Sequence, residues 1–162
     1  MEVTAAAVPP DAVLFYTVAY PDTDAAGVVF HGRYLEMAER ARNNVVNLAG
    51  FSYASLAQEY DTMLTVHKVE VIYHGSGVLE DRLKIQTKLT ACGAARTVWL
   101  TEIERKDSLL ASVRAEIVAV YASTRTVRQY PPLLLDALAP YMAQLDAAAT
   151  RRSRAFSDSA AR

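Results

Sequence analysis

The segment Tyr20-Pro21-Asp22-Thr23-Asp24-Ala25-Ala26-Gly27-Val28-Val29-Phe30-His31 gathers two carboxylates, a glycine and an imidazole. Just after it, Tyr34, Leu35, Met37, Ala38, Ala41, Val45 and Leu48 recur at helical spacing until Gly50. Asp24 therefore lies in a connection that ends at a helix start, where backbone N–H groups have no intrahelical acceptor and carry the positive end of the helix dipole. A carbonyl oxygen placed there is polarised, and the anionic oxygen of a tetrahedral intermediate is stabilised more strongly still, as in an oxyanion hole. A carboxylate just upstream has two roles open to it: attack on the polarised carbon, or deprotonation of a water that attacks. His31 can donate to the carbonyl, orient water or tune Asp24, and Gly27 lets a ligand come close. On composition alone, however, Asp22-Thr23-Asp24 reads as a turn and helix cap, and His31 as a structural residue.

The elements that must hold this segment follow from periodicity. A β-branched and aromatic run over 13–20, stopped by Pro21-Asp22, predicts a first strand. The apolar spacing from Tyr34 onward predicts a long helix of about four turns, and 52–60 a short one capped by Ser52 or Ser55. A strand over 64–73 ends in the breaker cluster His74-Gly75-Ser76-Gly77. Leu83, Ile85, Thr87 and Leu89 alternate with Arg82, Lys84, Gln86 and Lys88, so that strand has one buried and one wet face. Strands over 94–105 and 109–121 form a hairpin across Arg105-Lys106-Asp107-Ser108, and Pro131-Pro132 opens a final helix containing Leu134, Leu135, Leu138, Tyr141 and Leu145. The class is α+β. One long apolar helix cannot cover both faces of a five-stranded sheet, so the sheet is expected to curl around it, with the outer face meeting another helix or a second chain.

Composition narrows the function classes. A chain of 162 residues that is 52% hydrophobic and 22% charged suits one folded domain, expected over 11–148, with a flexible leader over 1–10 and a disordered tail over 149–162. Net charge is −1, which gives no global field to attract nucleic acid. No apolar run approaches the roughly 20 residues of a membrane-spanning helix, and the first ten residues lack the basic and apolar regions of an export signal. The single Cys92 cannot form an internal disulfide, and a cytoplasmic location is expected. His67 and His74 have no carboxylate or thiol at zinc-ligand spacing, so neither a metal nor another cofactor is expected.

The stretch Tyr20 to His31, followed by Tyr34 and Glu39-Arg40-Ala41-Arg42, resembles the 4-hydroxybenzoyl-CoA thioesterase family, with its nearest likeness to the Tol-Pal-associated acyl-CoA thioesterases. Val69-Glu70-Val71-Ile72-Tyr73 and Glu80-Asp81-Arg82-Leu83-Lys84-Ile85 extend the likeness over most of the chain, from about Phe15 through Tyr130. The resemblance implies a hotdog fold, a five-stranded antiparallel sheet around one long central helix, with active sites at a dimer interface and dimers commonly paired into a tetramer. It implies hydrolysis of an acyl-CoA thioester to free acid and coenzyme A, with an acyl carrier protein as another candidate partner. Asp24 matches the family's catalytic aspartate. The amide at His31 matches the donor to the thioester carbonyl, and the His31 side chain matches the histidine of the Tol-Pal-associated branch. Gly27, Val28, Phe30 and Tyr34 are the expected substrate-binding residues around them. Arg96 stands where the family places basic residues that meet the nucleotide; Lys68 and Arg128 are further candidates for phosphate contacts. Gly75-Ser76-Gly77 departs from the Pro-Ala of many relatives and predicts a more mobile loop beside the acyl pocket. A hotdog enoyl-CoA hydratase or dehydratase and a non-catalytic hotdog scaffold are the alternatives, because one fold hosts several functions.

Overall fold

The computed structural model describes residues 12–142. The leader expected over 1–10, the tail over 149–162 and Leu145 lie outside the described residues. In chain order the elements are β1 (Val13–Thr17), α1 (His31–Leu48), α2 (Tyr53–Tyr60), β2 (Thr62–Tyr73), β3 (Arg82–Cys92), β4 (Arg96–Arg105), β5 (Ser108–Tyr121) and α3 (Pro132–Leu138). Short 3-10 turns occupy Tyr20–Asp22 and Ala139–Tyr141. The five strands form one antiparallel sheet in the order β1-β3-β4-β5-β2.

The sheet closes on α1 as its side chains dictate. Leu83, Ile85 and Leu89 of β3 and Trp99 and Ile103 of β4 point inward with Ala111, Ala115 and Ala119 of β5, where short side chains leave room for the helix. From α1, Tyr34, Met37, Ala38, Ala41, Val45 and Val46 fill that space. Burial of each large apolar side chain contributes about 1.5–3 kcal/mol. The packing forms two clusters along α1. One, near the helix start, joins Val18, Val29, Tyr34 and Met37 to Leu83, Ile85, Ile103 and Leu110. The other, near its end, joins Val45 and Val46 to Leu56, Leu89, Trp99, Ile117, Leu134 and Leu138. This is the expected hotdog arrangement, and α3 belongs to the second cluster rather than covering the outer face.

The outer face is laced by cross-strand ion pairs: Lys84–Glu104, Lys88–Glu102, Arg96–Glu116 and Arg114–Glu70, all between 3.2 and 3.4 Å. Opposite charges across neighbouring strands stabilise such a wet face without a covering element. The inward side of β2 differs. Val66, Val69 and Tyr73 pair with inward residues of β5, yet are 46%, 38% and 46% exposed. Helix α1 packs on β3, β4 and β5 and leaves this end of the concave face open.

Several boundaries differ from the periodic reading. The first strand stops at Thr17, not residue 20, because the Asp22 side chain accepts the Ala19 N–H and turns the chain into the 3-10 segment. Helix α1 begins at His31, three residues before its apolar stripe, where the Arg33 N–H donates to the Phe30 carbonyl. Ser52 is the cap of α2, accepting from the Ser55 N–H at 2.9 Å while Ser55 Oγ accepts from the Ser52 N–H. The β4–β5 turn is tight, with Lys106 and Asp107 both at positive φ, as two-residue hairpin turns demand.

Candidate active site

Residues between β1 and α1 fold into a small hairpin. The Phe30 N–H donates to the Asp22 carbonyl at 2.8 Å, Thr23 and Val29 form an antiparallel bridge, and the Asp24 N–H donates to the Val28 carbonyl at 3.0 Å. The Gly27 N–H closes the turn onto the Asp24 carbonyl at 2.9 Å. Gly27 has φ +75, and a Cβ there would touch nothing within 4 Å. Its glycine is thus required by the left-handed backbone of the turn, not by a close approach within the chain. One arm of the hairpin carries Asp24; the other runs through Val28, Val29 and Phe30 into the first turn of α1.

Asp24 is exposed, and its Oδ1 accepts the Ala26 N–H at 2.8 Å. This bond fixes the carboxylate relative to the turn and leaves Oδ2 with no hydrogen bond among the described residues. Phe30, the residue before α1, offers no side-chain cap. The Arg33 N–H donates to the Phe30 carbonyl, and no described side chain caps the His31 and Gly32 N–H groups, as an oxyanion site requires. His31 is the first residue of α1 and is exposed. Its ring lies 4.2 Å from that of Phe30 and 6.5 Å, edge-on, from that of Tyr73. Tyr34 is 2% exposed; its hydroxyl accepts the Gly77 N–H at 3.0 Å, so it supports the helix start from beneath.

A second loop braces the hairpin. The Val29 N–H donates to the Gly77 carbonyl at 2.9 Å, and Val28 bridges Val78. The His74 and Gly75 N–H groups both donate to the Leu110 carbonyl, and the Val78 N–H to Asp81. Where sequence predicts a looser Gly75-Ser76-Gly77 segment, the structure holds it by bonds at both ends. Gly77 is buried, and a Cβ there would lie 3.1 Å from Val29 Cγ2.

Asp24, Gly27, Val28, Phe30, His31 and Tyr34 thus come together, but Arg96 does not join them within one chain. It begins β4, whereas the hairpin lies near the opposite end of that ten-residue strand, where Arg105 pairs with Asp81. A strand of that length spans roughly 30 Å. Arg96 pairs with Glu116, Lys68 with Glu70, and Arg128 donates to the Asp61 carbonyl and lies over the Tyr121 ring.

Two residues outside the expected catalytic and substrate-binding set contribute to the geometry. Tyr73 donates its hydroxyl to the His31 carbonyl at 3.1 Å. Asp22, 4% exposed, accepts the Tyr16 hydroxyl at 2.9 and 2.8 Å on its two oxygens and the Ala19 N–H at 2.8 Å, with Arg33 Nε at 3.5 Å. Burial, and then the Asp22 hydrogen bond, push the Tyr16 hydroxyl above its ordinary range, so it remains a donor. Sequence signals the first only as the aromatic end of a strand, and the second only as part of a turn and helix-cap stretch. Among the described residues, no three His, Cys, Asp or Glu side chains converge into a metal-ligating group, and no helix is long and apolar enough to cross a membrane.

Comparison with known proteins agrees with this arrangement. Residues 26–112 match the family model described as the thioesterase superfamily. The chain is 35% identical to the acyl-CoA thioester hydrolase YbgC of Escherichia coli O6:H1 over 103 residues, which is 64% of this chain and 75% of that protein. It is 29% identical to the acyl-CoA thioesterase YbgC of Haemophilus influenzae over 64% of this chain and 76% of that protein. Among solved structures, the DHNA-CoA thioesterase of Staphylococcus aureus superposes with a TM-score of 0.71 at 26% identity, covering 77% of this chain and 86% of that one. The sheet wrapped on one helix, the hairpin at the helix start and these matches together place the chain in the thioesterase superfamily, within the hotdog fold.

Proposed function

We propose that this acyl-CoA thioesterase acts through Asp24, with the thioester carbonyl held against the amides at the start of α1. The observation that carries this reading is the hairpin, which sets an exposed carboxylate on the arm opposite the one entering the helix. Attack at the carbonyl carbon, by an Asp24 oxygen or by a water whose proton Asp24 takes, pushes the carbonyl electrons onto oxygen. That oxyanion forms where the helix-start N–H groups point. Its collapse breaks the C–S bond, and coenzyme A leaves as a thiolate that gains a proton. If Asp24 attacked, one water then hydrolyses the resulting anhydride to the free acid and restores the Asp24 carboxylate. The His31 side chain orients water or the carbonyl; Gly27, Val28 and Phe30 line the approach to the reacting carbon. Neither route draws on a metal or a redox cofactor.

The site is completed by a second copy of the chain. The open concave side of β2, with Val66, Val69 and Tyr73 exposed beside a strand edge that pairs with no other strand among the described residues, supports this reading. Antiparallel pairing of two identical β2 edges reverses the partner, bringing the partner's Arg96 end level with the Asp24 end of this chain. Arg96 then contributes phosphate contacts in the composite site. A dimer, or a tetramer built from dimers, working in the cytoplasm on acyl-CoA or on acyl groups carried by an acyl carrier protein, is the proposed assembly and setting.

The test is release of free thiol from a panel of aliphatic and aromatic acyl-CoA substrates, followed with a thiol reagent. Wild type should release thiol, and Asp24→Asn should lose about 10³-fold or more in kcat while remaining folded. Wild-type-like hydrolysis by Asp24→Asn would falsify this mechanism, and hydration of an enoyl-CoA without thiol release would reassign the chemistry.

A further inference from the structure

Asp22 and Asp24 lie two residues apart but occupy opposite environments. Asp24 is exposed, whereas Asp22 is 4% exposed with both oxygens engaged. A carboxylate is costly to bury unless polar partners compensate it. Here the compensation comes from separate parts of the fold: the Tyr16 hydroxyl donates from β1, the Ala19 N–H donates from the strand exit, and the Arg33 guanidinium of α1 forms an ion pair with Nε at 3.5 Å. The same residues also grip the backbone. The Asp22 carbonyl accepts the Phe30 N–H at 2.8 Å, and Arg33 Nη2 donates to the Pro21 carbonyl at 2.9 Å. The base of the hairpin is therefore fixed to β1 on one side and to the first turn of α1 on the other. Both oxygens of this carboxylate are already engaged within the fold.

We propose that Asp22 and Arg33 are positioning residues for the hydrolysis, setting the distance between the Asp24 arm and the helix-start amides through the Tyr16–Asp22–Arg33 junction. This role rests on Asp24 being the reacting carboxylate. Both the attacking group and the oxyanion donors must be placed on the same carbonyl, and a misplacement of about 1 Å at a reacting centre costs about 10²-fold in rate. Loosening the junction should therefore act on turnover more than on binding.

The experiment compares Asp22→Asn, Arg33→Lys, Tyr16→Phe and Asp24→Asn in acyl-CoA hydrolysis well below each variant's Tm, with rates expressed per folded molecule from near-UV circular dichroism. Asp22→Asn should lose about 10²-fold in kcat, with KM and competitive inhibition by free coenzyme A changed by less than about threefold. Arg33→Lys keeps the charge but not both bonds, and Tyr16→Phe removes one donor; each should lose about 3- to 10-fold in kcat on the same pattern. A merely structural role lowers Tm and leaves kcat per folded molecule at the wild-type value, and that result overturns the proposal. If Asp22→Asn does not fold, full kcat in both Arg33→Lys and Tyr16→Phe overturns it equally. Turnover by Asp24→Asn removes the reading of Asp24 and this role with it, whereas an inactive Asp24→Asn beside a fully active Asp22→Asn removes the positioning role alone.

Discussion

The Tyr73 hydroxyl, at the last residue of β2, donates to the His31 carbonyl at 3.1 Å and so ties the open sheet edge to the first residue of the central helix. Its ring also stands 5.7 Å from that of Tyr34. Burial pushes the Tyr73 hydroxyl above its ordinary range, further from ionising. Tyr73→Phe keeps the ring and removes one neutral hydrogen bond, an expected loss of about 0.5–1.5 kcal/mol in stability. Tyr73→Ala also removes the wall beside His31 and should shift relative kcat/KM toward bulkier acyl groups. Identical acyl profiles for Tyr73→Ala and wild type would show that the ring does not border the acyl group.

Gly77 tests how closely the bracing loop fits the hairpin. An added methyl would lie 3.1 Å from Val29 Cγ2, beneath the arm that enters α1. Gly77→Ala should destabilise by about 1–3 kcal/mol through overpacking and lower kcat by displacing Val29. Gly75→Ala, whose methyl would meet only the flexible end of Leu110 at 3.3 Å, should do less. Thermal melts and steady-state rates of the two variants check the order, and equal effects would mean that Val29 yields freely.

The two routes open to Asp24 differ in where a solvent oxygen ends. When hydrolysis is run in heavy-oxygen water, direct attack gives an anhydride whose hydrolysis leaves label on either the product acid or Asp24. General-base catalysis puts label only in the product. Mass analysis of the peptide containing Asp24 after many turnovers separates them, with label on that peptide expected for the nucleophilic route alone.

Asp61 supplies a pH-dependent element away from the site. Its carboxylate accepts the Ser123 hydroxyl at 2.7 Å and the Ser123 N–H at 2.8 Å, and these bonds hold its pKa below the usual carboxylate range. A folded-state pKa below the unfolded value means that the contribution is present above about pH 4 and is lost as pH falls through the folded value. Asp61→Asn should therefore lower Tm at neutral pH, with the difference from wild type closing in strong acid. Asparagine also tolerates the left-handed backbone at this position, φ 48, so the comparison isolates the charge. A Tm difference that persisted unchanged into strong acid would rule out this linkage.

Much of the framework was legible in the chain itself. The alternation of Leu83, Ile85 and Leu89, the stripe from Tyr34 to Val45 and the Ser52 cap are local signals, because strand and helix periodicities and cap chemistry involve near neighbours. The first strand's end at Thr17 was not legible, since the turn depends on a side-chain bond from Asp22 back to Ala19 rather than on strand propensity. Nor was the place of Arg96: its charge could be read, but not that it stands at the other end of the sheet beside Glu116.

The sequence by itself determined that a carboxylate, a glycine turn and a helix start follow one another, because that is an order along one segment. Only the tertiary structure decided which aspartate is free. Asp22 accepts the Tyr16 hydroxyl of β1 and pairs with the Arg33 guanidinium of α1, groups brought to it when the chain folds, while Asp24 stays in solvent on the hairpin arm. Identical side chains two residues apart differ because burial and the partners it brings together, unlike residue type and spacing, exist only once the chain has folded.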